Sequence, residues 1–238
     1  MRQLANLLSR NKGFIAFMFC MFVFRSAVAD WNTVPTGSMQ PTIRIGDRIL
    51  VDRVAYDIRI PFTHVSLRKL ADPQRGDIVV LDSTEAGERL VKRVIGTPGD
   101  RIALRGNRLI VNGEVAGYTP VTVDGIGDDT TDPAHYAVER SGGNPRVIRL
   151  SDYRPSVGAN FGPVTVPAGQ YLLMGDNRDN SYDSRFLGFA PRAEILGRAR
   201  YVAFSLDPAH HDLPRNDRFG AALDGQAESQ DHHQAVLR

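Results

Sequence analysis

Beyond Trp31 the chain is written as short β-branched or aliphatic runs cut by Gly, Pro, Asn and Asp: Ile49 to Val54, Asp77 to Leu81, Leu90 to Ile95, Tyr171 to Met174 and Ala199 to Phe204. β-Branched side chains are stiff about χ1 and pack well on a pleated surface, and the interrupting residues supply turns. This spacing predicts a mostly β, antiparallel fold. Arg101 to Gly113 alternates about Gly106-Asn107, as a hairpin closed by a tight two-residue turn does. Helix signals after Trp31 are sparse; the clearest is Pro191 to Leu196, which opens on proline and stops before Gly197.

The stretch from about Gly117 to Pro163 is richer in Gly, Asp, Thr and Pro than the strands beside it and reads as an insertion. The polar tail from Asp207 to Arg238, with His210, His211, His232 and His233, is expected to be disordered. A net charge of +2 spread over interleaved acids and bases argues against a nucleic-acid partner. Cys20 is the single cysteine, so no intrachain disulfide can form.

At the N-terminus Arg2, Arg10 and Lys12 precede the apolar run Gly13 to Phe24, followed by Arg25 and Ala27-Val28-Ala29. A short apolar core ending in Ala-x-Ala describes a cleavable signal peptide. Continued to residue 30, with Trp31 at the interface, it also describes a short membrane anchor over 13–30. Either reading leaves residues 1–12 in the cytoplasm and sends the rest of the chain across the membrane.

Three segments carry chemistry. Val34 to Asp47 places two prolines and two glycines around Ser38, a loop able to hold one side chain rigidly, although an isolated Gly-Ser pair is also what a surface turn contains. No histidine sits in a convincing motif for a serine's base, and the Gly-x-Ser-x-Gly elbow is absent. A lysine base is the remaining option, provided burial keeps its amine neutral. The chain has three lysines against twenty-six arginines. Lys12 flanks the apolar run and Lys69 lies among charges, whereas Lys92 is embedded in Leu90-Val-Lys-Arg-Val-Ile95. A solvent-facing strand lysine would leave the same pattern. Gly175 to Arg185 gathers acids, arginines, amides and hydroxyls behind a strand; Arg178 and Arg185 would repel a cation there, and the last glutamate of a calcium loop is missing. No metal or cofactor is expected. Asp183 paired with Arg185, and Ser181 near the lysine, would suit a scaffold for a neutral amine.

Taken in order, these segments resemble the bacterial type I signal peptidase (leader peptidase) family: Pro35 to Thr42 with Gly46 to Val51, Arg75 to Val80, Val91 to Asp100 and Gly175 to Arg185 look like its boxes, and the apolar segment like its last anchor. The resemblance implies a serine endopeptidase that cuts signal peptides from preproteins after Ala-x-Ala. Ser38 would be the nucleophile, Lys92 the base, and the Ser38 N–H with the Thr36 hydroxyl the oxyanion hole. Ser181 would orient the lysine, braced by Asp183 and Arg185, while Val34, Met39, Ile43, Leu90 and Val91 line shallow pockets. It further implies a β catalytic domain (31–104 and 164–206), a second β-rich domain inserted at 105–163, and one N-terminal transmembrane helix in the inner membrane. The catalytic side would be periplasmic, beside the bilayer and near the export translocon. Two alternatives are a pilus-maturation peptidase of the same chemistry and a non-catalytic exported β-rich binding domain.

Overall fold

The computed structural model describes residues 10–123, 133–153 and 156–224. Helix α1 (Lys12–Ala27) leads into strand β1 (Ala29–Thr33), and β2 (Asp47–Asp52) follows the loop that carries Ser38. A small ribbon, β3 (Asp57–Arg59) and β4 (Ser66–Lys69), precedes the long hairpin β5 (Ile78–Ser83) and β6 (Glu88–Gly96). Next come β7 (Arg101–Arg105), β8 (Arg108–Val111), β9 (Glu114–Val115), β10 (Gly117–Val121), β11 (Ala134–Arg140), β12 (Arg146–Ser151) and β13 (Phe161–Thr165). The chain returns through β14 (Gln170–Met174), α2 (Ser184–Leu187), β15 (Ala190–Pro191), β16 (Ile195–Asp207) and β17 (Leu213–Pro214).

The main sheet runs β1-β2-β16-β5-β6-β14-β15, with β17 on β16, and its neighbours pair antiparallel. Apolar groups cover both of its faces. Alternation along β5 sends Ile78 and Val80 to a cluster with Met39, Ile43 and Val202, and sends Val79 and Leu81 to another with Val94, Leu173 and Ile195. The unbroken apolar run Ile78 to Leu81 follows from that double burial. Between β6 and β14 the chain builds two further sheets, β13-β7-β8-β9 and β10-β11-β12. The first packs Ile102, Leu104, Leu109 and Val111 against Ile95, Leu172 and Met174, so it shares a core with the ends of β6 and β14. Its hairpin turns at Gly106 and Asn107, both with positive φ of 54° and 61°, as a type I′ turn requires.

Three expectations are corrected. The segment at 191–196 forms only a 3-10 turn, Arg192–Glu194, before Ile195 enters β16 opposite Leu81; its buried side chain earns more from the sheet than from a short helix. The apolar N-terminal helix ends at Ala27 rather than near residue 30, because Ala29 to Thr33 pair with Asp52 to Arg48 of β2. At sixteen residues it is about 24 Å long. No helix among the described residues is long and apolar enough to cross a membrane. The tail is folded as far as Asp224: Leu213 pairs with Asp207, Leu223 is buried in the main core, and Arg218 donates to Thr42 O (3.0 Å) and Asp47 Oδ2 (2.5 Å). A composition rich in polar groups concealed these few anchoring contacts. His232 and His233 lie outside the described residues.

Candidate active site

Two tight turns hold the serine loop, closed by Gln40 N donating to Gly37 O (3.1 Å) and Ile43 N to Met39 O (2.9 Å). Met39 and Ile43 plug the core, which pins the backbone on either side of the half-buried Ser38. Lys92 reaches across from β6, where it stands opposite Val79, and its Nζ lies 2.8 Å from Ser38 Oγ, within hydrogen-bonding distance.

Lys92 is 4% exposed. Burial is the main influence on its amine and lowers the pKa below the ordinary lysine value, because an ammonium without water is disfavoured. Asp183 is the principal opposing group, with Glu88 behind it, and Arg185 acts with burial. Asp183 is already committed: it accepts from Arg185 Nε (2.8 Å), Arg185 Nη2 (2.9 Å) and Gly175 N (3.0 Å). A carboxylate neutralised by its own guanidinium attracts a nearby proton less.

The loop from Gly175 to Arg185 ties this pair to the rest of the molecule. Asn177 donates its N–H to Ser38 O (3.0 Å) and its amide to Gly37 O (3.1 Å), so both carbonyls flanking the serine's own peptide N–H are held. Asp176 accepts from Thr42 Oγ1 (2.6 Å), Arg93 Nε (2.8 Å) and Arg93 Nη2 (2.7 Å), anchoring the far end of the serine loop to β6. Gly175 lies so close that a β carbon there would come within 2.4 Å of Ser38 O and 2.3 Å of Ser181 Oγ. Ser184 Oγ accepts from Leu173 N (2.9 Å), and Asp183 caps α2.

Val34, Met39, Leu90 and Val91 line one cleft of about 220 Å3 together with Thr36, Ser38 and Lys92. Ile43 does not reach it; fully buried, it belongs to the core cluster that supports Val34 and Met39. Asp183 and Arg185 pair as the sequence suggests. Ser181 is buried against Gly175, but its Oγ has no hydrogen-bond partner among the described residues, the lysine amine being turned to Ser38. Sequence reasoning missed Asn177, Asp176, Arg93 and Thr42. One signal pointed to them: an arginine next to Lys92 in an apolar strand needs a buried carboxylate.

The family model described as "Signal peptidase, peptidase S26" matches residues 8–204. The chain belongs to that family. Signal peptidase I of Pseudomonas aeruginosa is 37% identical over 229 residues, covering 90% of this chain and 78% of the relative. Signal peptidase I P of Bacillus subtilis subsp. natto is 30% identical over 211 residues, covering 88% and 96%. A crystal structure of a signal peptidase I from Enterococcus faecalis V583 matches 55% of this chain and 98% of its own at 28% identity, with a TM-score of 0.34. The S26 chain described here is thus a hydrolase of peptide bonds with a mostly β, antiparallel architecture.

Proposed function

We propose that this signal peptidase removes signal peptides from exported preproteins with a Ser38–Lys92 dyad. The observation that carries the reading is the 2.8 Å contact between Ser38 Oγ and a lysine amine kept from water. In its neutral form the amine accepts the hydroxyl proton as Ser38 Oγ attacks the scissile carbonyl, then returns it to the departing amine; a water later releases the acyl group from Ser38. The Ser38 N–H and the Thr36 hydroxyl stabilise the developing oxyanion, supported by the grip of Asn177 on the neighbouring carbonyls.

The cleft supports selection of small side chains on the signal-peptide side, because Val34, Met39, Leu90 and Val91 line its volume of about 220 Å3 with apolar groups beside Ser38. That is the basis for Ala-x-Ala specificity. Strand β14 pairs with β6 only from Arg93 onward, so the edge at 88–92 remains open for a peptide strand to join. Exposed Phe14, Phe17, Phe19 and Phe22 on α1 support association with the lipid bilayer, with residues N-terminal to α1 in the cytoplasm and the catalytic face outside, near the translocon. Within residues 105–163, strands β10 to β12, which form a sheet of their own, support an inserted domain.

Cleavage of a purified preprotein in detergent tests the dyad. Ser38→Ala and Lys92→Ala should each lower kcat by roughly 10^4-fold or more while the fold is retained. Near-normal turnover by Lys92→Ala would refute the assignment of base.

A further inference from the structure

The signal peptidase boxes end at the loop 175–185, yet that loop is gripped from a strand outside them. Arg178 is fully buried and makes a bidentate pair with Glu139 of β11, Nη1 to Oε2 at 2.7 Å and Nη2 to Oε1 at 2.5 Å. Arg146 of β12 approaches the same carboxylate with Nε at 2.8 Å to Oε1, joined there by its Nη2, and Tyr118 of β10 donates its hydroxyl to Oε2 at 2.7 Å. Burial alone would raise the carboxyl's pKa; Arg146 and Arg178 hold it well below the ordinary range, so Glu139 stays charged.

The backbone continues the connection. Arg149 of β12 donates its N–H to Asp176 O (2.9 Å), and Arg178 N–H donates to Arg149 O (3.0 Å), so Asn177 is bracketed by two bonds to the β10-β11-β12 sheet. Arg149 Nη1 also donates to Asn177 Oδ1 (3.3 Å). Arg178 O in turn accepts from Arg185 Nη2 (2.7 Å), the partner of Asp183. A shift of Arg178 would therefore reach both the carbonyls beside Ser38 and the charge beside Lys92.

We propose that Glu139 is a positioning residue for catalysis: its carboxylate fixes Arg178, and through it Asn177 sets the Gly37 and Ser38 carbonyls and hence the direction of the Ser38 N–H. This rests on the dyad reading. Glu139 touches neither substrate nor the reacting atoms, so its removal misplaces the transition-state donor without altering the cleft that binds the peptide.

The test is steady-state cleavage of a purified preprotein by the full-length protein in detergent. Glu139→Gln should lower kcat about 10- to 100-fold with KM within about twofold, and the double variant with Asn177→Ala should be no slower than the slower single variant, because the two act in series. Tyr118→Phe, which removes one hydrogen bond to the same carboxylate, should lower kcat several-fold in the same direction. Arg146→Met, which removes the carboxylate's other guanidinium, should lower kcat in the same direction and also cost thermal stability. Wild-type kcat in Glu139→Gln, or multiplicative effects in the double variant, would overturn the proposal. If Glu139→Gln does not fold, unchanged kcat in Tyr118→Phe overturns it instead. Ser38→Ala run alongside separates the two readings. Cleavage by that variant sinks the dyad, whereas an inactive Ser38→Ala beside a fully active Glu139→Gln sinks only the positioning role.

Discussion

Replacing Lys92 by methionine should change the stability of the protein with pH in a direction that the buried amine dictates. Methionine keeps an unbranched side chain of similar length, so packing changes little, and loss of the hydrogen bond to Ser38 subtracts about 1 kcal/mol at every pH. The pH-dependent part comes from one proton. Burial lowers the folded-state pKa of Lys92 below its ordinary value of 10.5, the value expected for the unfolded chain. Between those two pKa values the unfolded state carries a proton that the folded state lacks, so wild-type stability rises with pH at about 1.4 kcal/mol per unit. Above pH 10.5 this contribution vanishes, and below the depressed pKa it reaches a constant maximum. The advantage of Lys92→Met should therefore be greatest in neutral or acidic buffer and shrink as pH approaches 10.5. Urea unfolding of both proteins at half-unit pH steps measures the difference, in which other titrating groups cancel. The wild type supplies an independent check, since kcat/KM should fall about tenfold per unit below the same depressed pKa. A stability difference that stays flat from neutral pH to 10.5 would show that the folded state holds a protonated lysine, and the neutral-base argument would fail.

Two other perturbations follow from the geometry. Gly175→Ala should reduce kcat about 100-fold, because the added carbon must displace the Ser38 carbonyl or Ser181, at an accompanying cost of about 1–3 kcal/mol in unfolding experiments. Asp100, in the turn after β6, accepts from Arg75, Thr97 and Asn112; partial burial favours its neutral form, yet these donors hold its pKa at about 2. Its contribution is present above the ordinary 3.8 and lost as pH falls through about 2, so Asp100→Asn should cost about 1 kcal/mol at pH 7, after allowance for solvent screening, and progressively less as pH falls through about 2, as measured by denaturant titration.

How much of this was legible depended on the range over which the information is encoded. The strands were readable because β-branched runs and turn residues act locally, and Gly106-Asn107 declared its hairpin in two residues. The short helix at 191–196 was misread because its propensity is weak and Ile195 is claimed by a strand partner 114 positions away. Tail order was hidden for the same reason: Arg218 and Leu223 look like ordinary tail residues until Thr42, Asp47 and the main core meet them. In the site, Ser38 and Lys92 stood out through rarity, one rigid loop and one lysine in an apolar strand. Thr42 and Asp176, 134 residues apart, carry no such local mark.

The polar density of residues 175–185 follows from the cost of burying a lysine amine beside carboxylates that favour its protonation. Asp183 and Asp176 both favour protonation of Lys92, and each is matched by an arginine, Arg185 and Arg93 respectively. Removing either guanidinium would leave a buried carboxylate seeking a cation, and Lys92, whose amine feels both carboxylates, can become one by taking a proton. The arginines thus do more than brace the loop. By satisfying the acids they leave burial as the governing influence on the amine, and the same acids, so neutralised, remain available to cap α2 and hold Thr42. Stability of the loop and reactivity of the lysine consequently draw on one set of contacts, so a substitution that loosens an Arg–Asp pair should raise the lysine pKa and move the activity profile to higher pH even where the fold survives.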